Sequence, residues 1–317
     1  MNRRMRVLIV GCGRIAGEYN QPGDPAVLTH AAAYRRLDAQ LIGCCDRDGE
    51  RAERFARRWG IQQFGDHLPT LLRQTSPEVV SLCTPPQGRL SSLETILEAD
   101  CVRAVLLEKP VAATVQEAKH ILECAEAVKR PVLVNYFRAF DPFYRDLAQR
   151  CHAGEFGPLC EGAIRYYGTA LANASHMLER LLAMCGSPTE LSRLGGEADH
   201  PIFELRFGAA RVVFLPTMGC TYAPIECDLL FKARRVRVID SERRIECFEA
   251  RPDPLFPAFF NLVPDQGRDR CTPSHESIVY AVEATLRAAD GEPVEPDILR
   301  RGVEVTQILE TVGASGA

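Results

Sequence analysis

Long apolar runs are missing from this sequence. Behind the basic residues 1–6 the first run covers only residues 7–10, whereas a membrane-spanning helix needs about 20 apolar residues, so neither a signal peptide nor a membrane span is expected there. An excess of one charge is missing too. The 38 Lys and Arg stand against 42 Asp and Glu, a net charge of -4, which gives no electrostatic case for nucleic acid and leaves a small molecule as the expected partner. Cysteine is plentiful but unpatterned: Cys12, Cys44, Cys45, Cys83, Cys101, Cys124 and the rest of the 13 contain no CxxC pair. That excludes a disulfide framework or dithiol motif and fits a reducing cytoplasm. Cys44, Cys83 and Cys227 occupy apolar strand positions, where a free thiol acts as a small hydrophobe. No set of His, Cys, Asp or Glu has metal-ligand spacing, so no metal is expected. Internal repeats and low-complexity segments are also absent.

What is present is ordinary globular material. The chain has 317 residues, 46% hydrophobic and 25% charged, about two domains by length. It is organised around MRVLIVGCGRIAG, residues 5–17. Val7, Leu8, Ile9 and Val10 form an unbroken apolar run, the pattern of a strand buried on both faces of a parallel sheet. Gly11 permits a tight turn after it. Gly13 lets backbone approach a pyrophosphate, with Arg14 and Ile15 beside it, and Ala16 takes the third small position, where a helix packs close to the strand. The helix expected next would aim its N–H groups and positive dipole end at the ligand. Residues 19–29, rich in Pro and Gly, read as a loop before a short helix at 30–37. This insertion places the acidic residue that ends the second strand, Asp46, 33 residues after Gly13. A carboxylate there takes the ribose hydroxyls of NAD and repels a 2'-phosphate, so NAD is favoured. Arg47 beside it could instead hold the phosphate of NADP, and a helix N-cap is a third use for Asp46.

Strands and helices then alternate: strand 41–45, helix 48–59, strand 79–83, helix 89–99, strand 104–107, helix 114–128 and strand 132–135. Right-handed crossovers leave a doubly wound parallel sheet as the economical topology. Thr84 and Pro85, and then Glu108-Lys109-Pro110, follow strands at the carboxyl edge where such a sheet binds ligands, so Thr84, Pro85, Glu108 and Lys109 are cofactor-side candidates. After Tyr136 the texture changes to a helix at 142–152 and strands at 160–167, 201–207, 210–215, 225–232, 235–239 and 244–248. Their short connections imply a mostly antiparallel sheet. Arg206, Arg211, Arg235 and Arg237 alternate with apolar residues, giving it one polar face for another subunit to cover. Residues 261–273 read as an irregular loop, 275–288 as a helix ended by Asp290-Gly291, and 297–311 as a last helix. The expected fold is therefore α/β: an N-terminal Rossmann domain, residues 1–135, with a doubly wound parallel sheet, and a C-terminal α+β domain, residues 136–317, built on an open, mostly antiparallel sheet. The last helices are free to pack back on the first domain.

Lys109 is the leading candidate for chemistry, because a cation at a strand's carboxyl end can bind a substrate hydroxyl or steady an alkoxide. Pro110 biases it toward an extended conformation. Arg138 offers a planar fork of donors for a carboxylate or phosphate. Tyr136, Tyr166 and Tyr167 are further substrate-side candidates; in a strand Tyr166 and Tyr167 point to opposite faces, so only one can serve. His30 reads as structural.

Taken together, GCGRIAG, CDRD, the TP turn, LEKPVAAT, VNYFRAFDPFY, the GEFGPL turn and SHMLERLLAMCG resemble the Gfo/Idh/MocA oxidoreductase family over nearly the whole chain. The resemblance implies a nicotinamide-dependent enzyme acting on a carbohydrate or cyclitol hydroxyl, with an open sheet that forms a homodimer or homotetramer. It also implies that Lys109 is the EKP lysine and His176 the catalytic histidine. The chemistry agrees, since an imidazole of pKa about 6.5 can hold a hydroxyl proton near neutral pH. Read alone, a His at a helix start is more often a capping or structural residue, with Ser175 as the candidate N-cap. Two positions depart from the family. Ala172 stands where an aspartate is common, with Asn173 as the nearest polar side chain, and Arg89 replaces a cofactor-side histidine. The sequence Asn173-Ala174-Ser175-His176 resembles a branch for which sugar-nucleotide and polysaccharide-pathway substrates are expected, and Asn173 is a candidate to help hold the substrate. Two alternatives stay open: a reductase of a C=N or other unsaturated bond, and a catalytically silent dinucleotide-binding relative.

Overall fold

The computed structural model describes residues 4–265, 270–271, 276–293 and 297–313. They fall into two units, Met1–Asp141 with His275–Thr306, and Pro142–Ser274 with Gln307–Ala317.

The first unit is built on a six-stranded sheet. Its strands are β1 (Arg6–Val10), β2 (Gln40–Cys45), β3 (Gln63–Gly65), β4 (Val79–Leu82), β5 (Ala104–Leu107) and β6 (Val132–Val134), in the order β3-β2-β1-β4-β5-β6. Every pairing is parallel. The unbroken apolar runs are buried on both faces: Val7, Leu8, Ile9, Val79, Val80 and residues 104–107 have no exposed surface. This is the doubly wound order in which the chain reverses direction between β1 and β4, and the crevice at that switch point takes ligands. The intervening helices are α1 (His30–Arg36), α2 (Gly49–Trp59), α3 (Leu68–Thr75), α4 (Arg89–Leu97) and α5 (Val115–Ala127). Thr29, Asp48 and Thr114 cap α1, α2 and α5 with side-chain oxygens. Asp48 therefore holds the N-cap role that the sequence also allowed Asp46. The short strand β3 and the helix α3 were not anticipated. The expected helix after the glycines is a single π-helical turn, Arg14–Glu18. The inserted loop delays the first α-helix to His30, so the aligned peptide dipoles of a long helix are not available at this turn.

The second unit contains α6 (Pro142–His152), β7 (Leu159–Tyr167), α7 (Ser175–Cys185), β8 (Glu190–Gly196), β9 (Pro201–Phe207), β10 (Ala210–Thr217), β11 (Glu226–Phe231), β12 (Arg234–Ile239), β13 (Arg244–Pro252), β14 (Phe260–Pro264) and β15 (Arg270–Cys271). Its sheet runs β14-β13-β12-β11-β7-β10-β9-β8, with β15 beside β13. Among the described residues of this sheet only the β7–β10 pair is parallel. The alternating arginines form ion pairs along and across strands: Arg235 to Asp228 at 2.6 Å and Arg237 to Glu246, directly opposite it, at 3.1 Å. The irregular loop expected at 261–273 is corrected in part, because 260–264 and 270–271 pair with β13; residues 266–269 and 272–273 lie outside the described residues. After them come α8 (Ser277–Ala289), in the first unit, and α9 (Ile298–Thr311).

Candidate functional site

The glycine turn is the most constrained part of the first unit. Gly11 has φ +86, and a Cβ there would lie 2.8 Å from the Cys83 carbonyl carbon and the Thr84 nitrogen. Only glycine fits where β1 passes the end of β4 so closely. Gly13 is the opposite case. A Cβ on it would meet nothing within 4 Å, so the space over this residue is open. Ala16 is fully buried, but the tightest approach belongs to Gly17, whose Cβ would sit 2.4 Å from Trp59 Nε1 and 2.5 Å from the Phe55 ring. Gly17 lets the turn press on α2.

Asp46 closes this turn from the end of β2. Its Oδ2 accepts the Cys12 N–H at 2.8 Å, its Oδ1 accepts the Asp48 N–H at 3.0 Å, and Arg51 lies 3.7 Å from Oδ1. The carboxylate is thereby fixed beside the backbone of the turn, with oxygen lone pairs left for further donors. Arg14 and Arg47 are exposed and Ile15 is part-buried.

At the end of β4, Thr84 Oγ1 is buried with no protein hydrogen-bond partner, a hydroxyl available to a ligand; Pro85 is exposed. Arg89 is not a cofactor-side residue. It is 1% exposed, and its guanidinium donates to the carbonyls of Thr84, Glu108, Pro110 and Val111, tying the loop after β4 to the loop after β5. Burial lowers its pKa to about 10.

Under Lys109 lies a buried polar network. His30 Nε2 is 2.8 Å from Glu108 Oε1, His30 Nδ1 is 3.0 Å from Ser81 Oγ, Asn135 Nδ2 donates to Glu108 Oε1, and Tyr34 Oη meets Ser81 Oγ at 2.9 Å. Burial opposes charge on both His30 and Glu108. Cys83 and Glu108 nevertheless push His30 up to about 10, and His30 and Asn135 hold Glu108 below the usual carboxylate range. Glu108, expected to touch the cofactor, is instead 7% exposed and bound within this network. Lys109 is part-buried, and the Lys109–Pro110 peptide is cis. Burial lowers the Lys109 pKa, Glu108 raises it, and Arg138 and Arg89 lower it further, for a net depression. A depressed lysine at the carboxyl edge of a parallel sheet is a candidate functional position. Arg138 lies near enough to shape that charge and stacks 4.5 Å from the Phe137 ring. Tyr136 is 1% exposed and packs by Gly302 of α9, a place in the interior rather than at a substrate surface.

In the second unit, Tyr167 is 39% exposed, whereas Tyr166 is fully buried and donates to the Pro201 carbonyl at 2.6 Å, which removes it from the candidates. Asn173 Nδ2 donates to the Tyr167 carbonyl, so Asn173 and Tyr167 are held together. His176 is the second residue of α7 and is 5% exposed. Ser175 is not its N-cap. The π-helical turn Ala170–Ala174 runs straight into α7, and Ser175 Oγ donates to the Leu171 carbonyl at 2.8 Å. Thr169 caps the turn instead. Ala172 is exposed.

The parallel sheet, the open glycine and the carboxylate beside it define a dinucleotide-binding Rossmann unit. Residues 5–136 match the Gfo/Idh/MocA oxidoreductase family with its NAD-binding Rossmann fold. It is 26% identical over 185 residues to the D-glucoside 3-dehydrogenase of Escherichia coli (strain K12), covering 58% of this chain and 45% of that protein. It is 34% identical over 162 residues to inositol 2-dehydrogenase 4 of Saccharopolyspora erythraea, covering 49% and 43%. The aligned part thus spans less than half the length of either dehydrogenase. An NAD binding oxidoreductase from Klebsiella pneumoniae has the same fold, with a TM-score of 0.79 at 14% identity over 99% of this chain and 97% of that one.

Proposed function

We propose that this chain is an NAD(P)-dependent oxidoreductase, NAD favoured, that interconverts a hydroxyl and a ketone on a sugar, sugar-nucleotide or cyclitol. The observation that carries the reading is Lys109, an ammonium held below its ordinary pKa on the same sheet edge as the turn formed by Gly13 and Asp46. The fit of a dinucleotide is supported by the open space at Gly13 and the unpartnered Thr84 hydroxyl. Gly11 shapes the turn, Gly13, Arg14 and Ile15 take the pyrophosphate side, and Asp46 takes the ribose hydroxyls. Thr84 and Pro85 lie along the cofactor. When bound, the nicotinamide supplies the hydride acceptor or donor. His176 accepts the hydroxyl proton during oxidation and returns it during reduction. Lys109 steadies the substrate oxygen as negative charge develops. Arg138, Tyr167 and Asn173 orient the substrate.

The 12 cysteines whose side chains are described are all free, which supports a cytoplasmic location. Among the described residues no helix is long and apolar enough to cross a membrane. The ion-paired face of the second sheet and the exposed Phe256, Phe259, Phe260 and Leu262 on and before β14 support a homodimer or homotetramer through that sheet. Titration with NAD and NADP, followed by a sugar, cyclitol and sugar-nucleotide panel read at the reduced-nicotinamide absorbance band, tests the proposal. Tight NAD binding with substrate-dependent reduction is the expected result. NAD binding without hydride exchange across the panel favours a silent relative, and turnover untouched by His176→Ala favours reduction of a C=N bond.

A further inference from the structure

Helices α4 and α5 pack side by side in the first unit and bring together three side chains that the sequence keeps apart. His120 and Cys124 are four residues apart on α5 and so share one face. Glu94 reaches them from α4. One ligand atom from each lies within 4.8 Å of the other two, and His120 Nε2 is 3.3 Å from Glu94 Oε1. Two bonds of about 2.05 Å at a tetrahedral angle give an edge of about 3.3 Å between a nitrogen and an oxygen ligand of zinc, so this pair already has the separation that a shared ion requires. The sulfur must close to about 3.6 Å. Side chains exposed by 51% at His120 and 43% at Glu94 leave room for that adjustment. The expectation of no metal rested on spacing along the chain, whereas the pairing of two helices brings this set together through space.

We propose that Glu94, His120 and Cys124 form a binding site for a borderline divalent cation of the zinc class, with water as the fourth ligand. A carboxylate oxygen, an imidazole nitrogen and a thiolate sulfur are the donor set such an ion selects over magnesium or calcium. Binding displaces the thiol proton to solvent as the metal–sulfur bond forms, and affinity falls with falling pH. The bound ion cross-links the two helices that flank the loops after β4 and β5.

The test uses the full chain freed of metal with a chelator and titrated with zinc alone, and with cobalt as the spectroscopic probe. Cys124→Ser, His120→Ala and Glu94→Gln are compared with Cys160→Ser, which changes an exposed thiol elsewhere. Wild type and Cys160→Ser should bind one more equivalent of zinc than Cys124→Ser, and their cobalt forms should show a thiolate-to-metal charge-transfer band that Cys124→Ser lacks. His120→Ala and Glu94→Gln should weaken zinc binding at least tenfold. Equal stoichiometry and an unchanged band in Cys124→Ser, or no zinc uptake by wild type, would overturn the proposal.

Discussion

Gly13→Ala separates folding from cofactor binding. Gly13 has φ -85 and ψ -161, an extended conformation open to alanine, and the added Cβ meets no protein atom within 4 Å. The folded state therefore loses nothing, and the stiffer unfolded chain raises stability by about 0.4–1 kcal/mol. The methyl does occupy the space assigned to the pyrophosphate. Crowding a close contact costs about 1–3 kcal/mol, which at about 1.4 kcal/mol per decade raises the Kd for NAD about 5- to 150-fold. Gly11→Ala gives a different result, because φ is +86 and the Cβ lies 2.8 Å from backbone of the β4 end; stability and binding both fall. Urea denaturation and calorimetric titration with NAD measure the two quantities separately. A folded Gly13→Ala protein that binds NAD as tightly as wild type would refute the assignment of the pyrophosphate to this turn.

Other consequences can be checked on the same protein. Arg89→Met leaves buried carbonyls of both loops without their donor, and denaturation should show a loss of about 1–3 kcal/mol or more. The raised His30 contributes stability that is complete below pH 6.5 and disappears as pH rises through about 10, whereas the depressed Glu108 contributes above pH 4.5 and loses its share as pH falls through its folded value. Stability measured against pH should therefore decline between about 6.5 and 10, and His30→Gln should flatten that limb. Phe260→Asp places a charge in the exposed apolar patch on β14, and light scattering should show a shift toward monomer with the fold intact.

The parallel core was legible because its strands are unbroken apolar runs bounded by Gly, Pro or a carboxylate, as at residues 104–107; in the second unit the helix at 142–152 likewise falls where periodicity puts it. Strands with little burial were not. Gln63–Gly65 is a short edge strand, and Glu190–Gly196 and Phe260–Pro264 are mostly exposed, so none shows an alternating apolar pattern. The fingerprint residues were readable from local turn chemistry. Gly17 was not, because its reason is the ring of Phe55 and the indole of Trp59 on a later helix. Arg89 looked like a ligand-side substitution and is a clamp on four carbonyls. The network joining His30, Ser81, Glu108 and Asn135 spans distant parts of the chain and three strand ends, which no local spacing encodes.

In the proposed reaction His176 moves the proton while Lys109 steadies the oxygen. The most direct measurement is the pH dependence of hydride transfer at saturating NAD for wild type and His176→Ala, on the substrate that the panel selects. Loss of a general base lowers the rate about 10²- to 10⁴-fold. That loss and a changed pH profile are expected in His176→Ala; a variant within a few-fold of wild type and keeping the same pH profile would contradict the assignment of the proton to His176.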